Sequence, residues 1–376
     1  MNRIPRILQA SILRNLRSNK VILLYGTRRV GKTYLLRSVL EEWKEPYVLL
    51  NGEDFEVQES FRKRTEAGLR NIVGNAPLLA IDEAQAIPEV GKALKLLIDT
   101  KPGLTILATG SSSLDLAGLS GEPLTGRQIP HLLFPIGQAE LQQTPLQALQ
   151  HLDERLVFGS YPEIFGLADV REKAAYLQQL VESYLLKDIL AYSGIRHSDK
   201  IFSLLRLIAF QTGSEVSYQE LSNRLGISKI TVEHYLDLLS KVYILFKLPA
   251  YSSNQRNEVT KAAKWYFYDN GVRNAVVNDF RLPALRQDTG QLWESYIISE
   301  RIKKLRYAGS LARFYFWRNY AQQEIDFIEE ENGMLRAYEI KFTAPKRLKM
   351  PNSFQQAYPD TPLQCIHREA YWDFIV

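Results

Sequence analysis

Residues 26–33 read Gly-Thr-Arg-Arg-Val-Gly-Lys-Thr, the spacing G-x-x-x-x-G-K-T. That spacing suits one piece of chemistry. Gly26 and Gly31 let the chain curl so that backbone N–H groups converge on an anion. Lys32 reaches the β- and γ-phosphates of a nucleotide, and Thr33 offers its hydroxyl to Mg2+. Thr27, Arg28, Arg29, Val30 and, at the start of the next helix, Tyr34 complete the expected contact surface. Residues 77–85, PLLAIDEAQ, supply a second set. Asp82 would hold Mg2+ through water and Glu83 would polarise an attacking water; the competing reading is an acidic pair at a helix start. A third stretch, LTILATGSSS at 104–113, offers Thr109 and Ser111 either to the γ-phosphate and lytic water or as caps for the following helix.

A different chemistry is written near the end of the chain. In RAYEIKFT, 336–343, strand alternation puts Tyr338, Ile340 and Phe342 on one face and Glu339 and Lys341 on the other. In EIDFI, 324–328, Glu324 and Asp326 share a face opposite Ile325 and Phe327, and the turn at 330–333 folds one strand onto the next. Asp326 and Glu339, joined by Glu294 from the preceding helix, are therefore candidate ligands for Mg2+ or Mn2+, ions that prefer carboxylate oxygen. Lys341 would orient or deprotonate a water attacking a phosphodiester. The alternative is a surface strand whose Glu and Lys pair across the ladder.

Several elements must position these groups. Val21–Tyr25 reads as a strand entering the glycine loop, and Tyr34, Leu35, Leu36, Val39 and Leu40 as the helix leaving it. YVLLNGED, LLAI and LTILAT read as further strands. Strands alternating with helices predict a parallel sheet flanked by helices, and the apolar runs suit strands buried on both faces. The basic, amphipathic start, with Ile7, Leu8, Ile12 and Leu16 at helical spacing, reads as a helix on this first domain, not as a targeting segment. Ser217-x-x-Glu220 opens a helix, Gly226 turns the chain and Ser228 caps a second helix with Val232, Leu236 and Leu239 inward. VYILFKL and KWYFYD then read as paired strands. This is a winged helix-turn-helix pattern. Lys229, Thr231 and Lys241 could face a groove, whereas Glu233 and Asp237 on the same helix would repel phosphate. In GQLWESYIISERIKKL, Leu292, Tyr296, Ile297 and Ile302 mark a buried side.

The order GTRRVGKT, LLAIDEAQ, ILATGSSS, LTGRQIPHLLFPIGQAE resembles the prokaryotic AAA-type ATPases. The resemblance implies a Mg-ATP-binding ATP hydrolase with a helical lid. It also makes Arg127 a candidate arginine finger or sensor, which as a finger in trans would require a homo-oligomer; the plain alternative is a surface arginine. FGSYPEIF (158–165) and YLLKDILAYSGI (184–195) resemble that family's lid and connector. GISKITVEHYLDLL and KWYFYDNGVRNAV resemble its helix-turn-helix and linker. The Glu…Asp…Glu-x-Lys layout resembles the restriction-endonuclease-like PD-(D/E)xK superfamily, which implies a second divalent-ion site. The expected α/β architecture is a P-loop ATPase core with N-terminal helix (1–136), a helical lid and connector (137–200), a winged helix (201–284) and a nuclease-like α/β domain (285–376).

Composition bounds the rest. A chain of 376 residues with 45% hydrophobic and 24% charged residues has room for several ordinary cores. A single cysteine, Cys365, excludes an intrachain disulfide and cysteine-based zinc sites, and fits a reducing, cytoplasmic setting. No apolar run reaches membrane-span length, so no membrane partner is expected. A net charge of +5 permits a nucleic-acid partner, with DNA ahead of RNA. Besides ATP hydrolysis, two further outcomes are open at this level: an ATP-gated metal-dependent nuclease, and a nucleotide-switched binding module without nuclease activity.

Overall fold

The computed structural model describes residues 4–63, 65–110, 124–185, 198–252 and 263–376. Ser111 and residues 186–195 of the expected connector lie outside them. The chain forms two compact units, one built on residues up to Phe134 and the other on most of the residues from Pro135 onward.

The first unit is a five-stranded sheet of β1 (Val21–Tyr25), β2 (Tyr47–Asn51), β3 (Leu78–Asp82), β4 (Thr105–Gly110) and β5 (Gln128–Leu132) in the order β2-β3-β4-β1-β5. Every pairing is parallel. This is the P-loop-type α/β architecture expected from the alternating strands and helices. The central strands β1, β3 and β4 are mostly apolar because helices cover both faces, and Ile22, Leu24, Leu79, Ile81, Ile106 and Leu107 are fully buried. β2 lies at the edge and alternates between exposed and half-buried positions. Register aligns the strand ends: Tyr25 pairs with Gly110 and Leu132, and Asn51 with Asp82. The carboxyl ends of β1, β3 and β4 thus lie at one edge, where ligands of open α/β sheets bind. The N-terminal helix is Leu8–Asn15. It buries Leu8, Ile12 and Leu16 and packs on the helix Lys32–Glu42, while Ile7 stays exposed.

The second unit begins with short helices and reaches the helices Ser198–Phe210, Tyr218–Leu225 and Lys229–Lys241. Ser217 Oγ accepts from the Glu220 N–H at 3.3 Å, Gly226 ends that helix at φ +64°, and Ser228 Oγ accepts from the Thr231 N–H at 3.1 Å. Glu220 turns to Arg224 at 2.8 Å, the i,i+4 pairing open to it on the helix surface. Val232, Leu236 and Leu239 are buried as expected. An antiparallel three-stranded sheet comes next, ordered β6 (Glu215–Val216), β8 (Ala263–Phe267), β7 (Leu245–Pro249).

The chain then runs through the helix Thr289–Tyr307 into β9 (Arg313–Arg318), β10 (Glu324–Glu331) and β11 (Met334–Ile340), and through the helix Asn352–Ala357 into β12 (Leu363–Ile366). The sheet order is β12-β11-β10-β9, antiparallel except for β11 with β12. Ile325 and Phe327, expected on one face, fill separate cores. The β10–β9 pairing shifts register between Ile325 and Ile328, and this bulge sends Ile325 and Ile328 to one side and Phe327 to the other. The two sheets of this unit touch, with the Tyr251 N–H donating to the Phe316 carbonyl at 2.7 Å.

FGSYPEIF and YDNGVRNA interlock within this unit. Asp269 caps the helix Asn270–Val277 through the Val272 N–H at 3.2 Å and accepts from the Ser160 N–H at 2.7 Å. A Cβ on Gly159 would lie 2.0 Å from Asp269 Oδ1, and one on Gly271 would lie 2.2 Å from the Phe158 carbonyl oxygen. Asn274 Nδ2 donates to the carbonyls of Leu156 and Val157 at 3.0 and 2.8 Å. We predict that Asp269→Ala, which strands the buried Ser160 N–H and removes the cap, lowers unfolding free energy by about 2–4 kcal/mol. Urea denaturation of the variant beside wild type measures it.

Candidate functional site

The glycine loop leaves β1 at Gly26, whose Cβ position lies 2.3 Å from the Leu133 carbonyl oxygen, so only glycine fits. Arg29 (φ +62°) and Gly31 (φ +99°) are left-handed and curl the loop into the helix Lys32–Glu42. Val30 and Thr27 are buried, Arg28 and Thr33 half-buried, Arg29 and Tyr34 exposed. Lys32 is buried along its stem, and its Nζ donates to the carbonyls of Gly26 and Thr27, both at 3.0 Å. Arg6 braces the loop from outside. Its guanidinium donates to the Val30 carbonyl at 2.9 Å and the Phe134 carbonyl at 2.6 Å. Sequence reading missed Arg6, because nothing in its neighbourhood marks it as a partner of a loop more than twenty residues away.

Asp82 ends β3 and Glu83 comes after it at φ +50°. Thr109, fully buried at the end of β4, ties the pair together. Its hydroxyl donates to Asp82 Oδ1 at 2.5 Å and accepts from the Glu83 N–H at 2.9 Å. Gln85 Nε2 donates to the Glu83 carboxylate. Gly52, also unremarked in the sequence, lies against this pair: its N–H donates to the Asp82 carbonyl at 2.7 Å, and a Cβ there would meet the Glu83 carbonyl oxygen at 2.3 Å. The loop residues, Asp82, Glu83 and Thr109 thus share the carboxyl edge of the sheet.

Arg127 is not brought there. Its carbonyl accepts from the Val21 N–H at 2.8 Å, which puts it at the amino edge, about 13 Å away along β1. Its side chain pairs with Asp99 at 2.5 Å. A sensor role at the nucleotide of its own chain does not fit this position, since a strand's length separates the two edges.

In the second unit Asp326, Glu339 and Lys341 meet as expected. Lys341 Nζ lies 2.8 Å from Asp326 Oδ2 and 2.9 Å from Glu339 Oε2, and the Ile340 N–H donates to the same Asp326 oxygen at 2.8 Å. Glu294 is engaged otherwise. Its Oε1 accepts from the Tyr266 hydroxyl and lies 3.5 Å from Lys264 Nζ, and Lys264 also binds Glu324. Lys264 and Tyr266, both on β8, are the site residues the sequence did not reveal. Arg318 borders the cluster, 3.6 Å from Glu324. Burial, reinforced by the Asp326 charge, pushes the carboxyls of Glu294 and Glu339 up to about 7 against the pull of the lysines. The Lys341 ammonium is held well above its ordinary value by Asp326 and Glu339, which outweigh its burial. Among the described residues no group of three or more His, Cys, Asp or Glu is disposed to hold a metal ion. The expected second divalent-ion site on Glu294, Asp326 and Glu339 therefore finds no support: Glu294 Oε1, Asp326 Oδ2 and Glu339 Oε2 each face an N–H or O–H donor.

Three consecutive family profiles match the chain. Residues 18–142 match an AAA domain, residues 149–282 a domain of unknown function (DUF8612) and residues 289–370 another (DUF4143). The first of these stretches is therefore an AAA-type, P-loop ATPase-like domain. The uncharacterized protein Rv2008c of Mycobacterium tuberculosis is 28% identical over 340 residues, covering 89% of this chain and 73% of the relative. The uncharacterized protein MJ1544 of Methanocaldococcus jannaschii is 24% identical over 351 residues, covering 88% and 77%. Among solved structures, the Walker-type ATPase PABY2304 of Pyrococcus abyssi is similar at TM-score 0.48 and 17% identity, over 73% of this chain and 96% of that one. Among the described residues no helix is long and apolar enough to cross a membrane.

The raised carboxyls make a pH prediction. A carboxyl whose pKa is higher folded than unfolded stabilises the fold below its unfolded value, near 4.5 here, and that contribution is lost as pH rises through about 7. Glu339→Gln, neutral at every pH, should therefore match wild type near pH 5 and exceed it near pH 8 by up to about 2 kcal/mol. Denaturant midpoints across that range measure the difference.

Proposed function

We propose that the protein is an ATP hydrolase of the AAA type whose turnover drives its second unit against a nucleic-acid partner. The single observation that carries the ATPase reading is the shared edge of the glycine loop, Asp82, Glu83 and Thr109. The donor set fits Mg-ATP. The curled loop supplies backbone N–H groups, Lys32 an ammonium already aimed at the loop's centre, and Thr33 and Asp82 hard oxygen ligands for Mg2+. Bound Mg2+ would supply charge neutralisation at the phosphates. Glu83, held by Gln85, would orient and polarise the water, and Thr109 would keep Asp82 and Glu83 in register with one another. Arg127, at the amino edge, would reach a nucleotide only in trans, from a second copy of the chain, which requires a homo-oligomer.

The nucleic-acid reading rests on charge and on a winged-helix reading of the helices 218–241 with their three-stranded sheet. Lys346, Arg347 and Lys349 come after Lys341 in an exposed loop, and no acidic residue occurs between Glu339 and Asp360. Uncompensated cations of this kind bind phosphate backbones with a strong salt dependence. The helix Lys229–Lys241 contributes less charge, because Lys229 lies 3.8 Å from Glu233.

Lys32→Ala should lose ATP binding and turnover together. Glu83→Gln should keep affinity within about threefold and lower kcat by about 100-fold or more. Nucleotide titration and a phosphate-release assay read both, and unchanged affinity and turnover in Lys32→Ala would overturn the ATPase reading. Replacing Lys346, Arg347 and Lys349 by Gln should weaken DNA binding by about tenfold or more and flatten its salt dependence. Fluorescence anisotropy across a salt series decides that, and an unaltered salt slope removes the loop from the interface.

A further inference from the structure

Lys264 is the most deeply buried cation of the second unit's carboxylate cluster, at 1% exposure. It comes from the middle strand of the three-stranded sheet, not from the strands that carry Asp326 and Glu339. Its Nζ meets Glu324 and lies 3.5 Å from Glu294 Oε1, and it stands 5.3 Å from the centre of the Phe316 ring. Around it each acidic side chain is already supplied with proton donors. Glu294 Oε1 takes the Tyr266 hydroxyl, Asp326 Oδ2 takes the Ile340 N–H and Lys341, and Glu339 takes Lys341. Buried carboxylates need compensating positive charge, and a divalent ion is one way to provide it. Here the buried Lys264 ammonium, with Lys341 and Arg318 at the cluster's edge, provides it from the chain itself.

We infer that Lys264 is the resident cation of this cluster and holds the position a divalent ion would need, so that the C-terminal domain takes no Mg2+ or Mn2+ and does not act as a metal-dependent nuclease. Mg2+ demands near-octahedral oxygen ligands at about 2.0–2.1 Å. Reaching Glu294 and Glu324 at that distance requires the Lys264 ammonium to leave a site where it has no exposed surface to retreat to. The same geometry says what the cluster would become without it. Glu294, Glu324, Asp326 and Glu339 would face one another with no buried cation among them, Lys341 being half-exposed at the edge, and a divalent ion would then restore the lost charge.

The test uses the full chain, free of nucleotide, with Mn2+ alone as the probe. Wild type, Lys264→Met, Glu339→Gln and the Lys264→Met/Glu339→Gln pair are titrated while free Mn2+ is followed by electron paramagnetic resonance, with thermal unfolding alongside. Met keeps an apolar stem of similar length and removes the ammonium. The expected result is no Mn2+ binding in wild type that Glu339→Gln abolishes, a gain of at least about tenfold in affinity in Lys264→Met, a rise of that variant's Tm with Mn2+, and loss of both in the pair. Wild-type binding that disappears in Glu339→Gln overturns the inference, as does a folded Lys264→Met that binds no Mn2+. Recovery of Lys264→Met only when Mn2+ is present supports it. If Lys264→Met does not fold even then, Lys264→Gln replaces it under the same two criteria, and the wild-type titration decides independently.

Discussion

Two carbonyl oxygens leave no room for a Cβ at the carboxyl edge of the first unit's sheet. Gly26 lies against the Leu133 carbonyl and Gly52 against the Glu83 carbonyl, each with a hypothetical Cβ only 2.3 Å away. Both close approaches arise from parallel strands whose ends are in register, so that the chain leaving one strand must pass beside the chain at the end of another. Everything chemical in this unit hangs on that packing. With Gly26 pressed in, the loop must curl immediately, which starts the next helix at Lys32 and turns its ammonium back toward the loop. With Gly52 pressed in, the backbone at Asp82 and Glu83 is pinned, and the Thr109 hydroxyl completes the tie from β4.

The second unit is governed by buried charge. Arg301 meets Glu329, Lys303 meets Glu300, and Arg273 and Arg286 converge on Asp288, whose carboxyl they pull far below its ordinary range despite its burial. These ion pairs bind elements together; removing one partner would leave an uncompensated ion in a low-dielectric interior. The cluster of Glu294, Glu324, Asp326 and Glu339 differs because interior acids outnumber interior cations. Two of its carboxyls answer by holding their protons to about pH 7. A site of this kind is poised between protonation and cation binding, and the side chain that decides between them is Lys264.

How much was legible depended on distance along the chain. The glycine loop is contiguous and lies within one strand–loop–helix unit, so spacing alone placed it. Asp82-Glu83 was legible because a buried strand ends there. Asp326, Glu339 and Lys341 were brought together by a hairpin, the shortest long-range contact a chain makes. The bulge that separates Ile325 from Phe327 was invisible, since alternation assumes an unbroken ladder. Arg6, Gly52, Lys264 and Tyr266 carried no local signal: a buried arginine, a glycine in a turn and a Lys and Tyr in an aromatic strand have ordinary reasons to be where they are.

The sequence by itself determined the parallel α/β sheet, the curled glycine loop and the acidic pair beside it, because periodicity and spacing encode local geometry directly. Only the tertiary structure decided which edge Arg127 occupies, which hydroxyl joins Asp82 to Glu83, and which cation neutralises Glu294. Those outcomes depend on register between strands far apart in the chain, and on the rule that buried charge takes whichever partner the fold brings within reach.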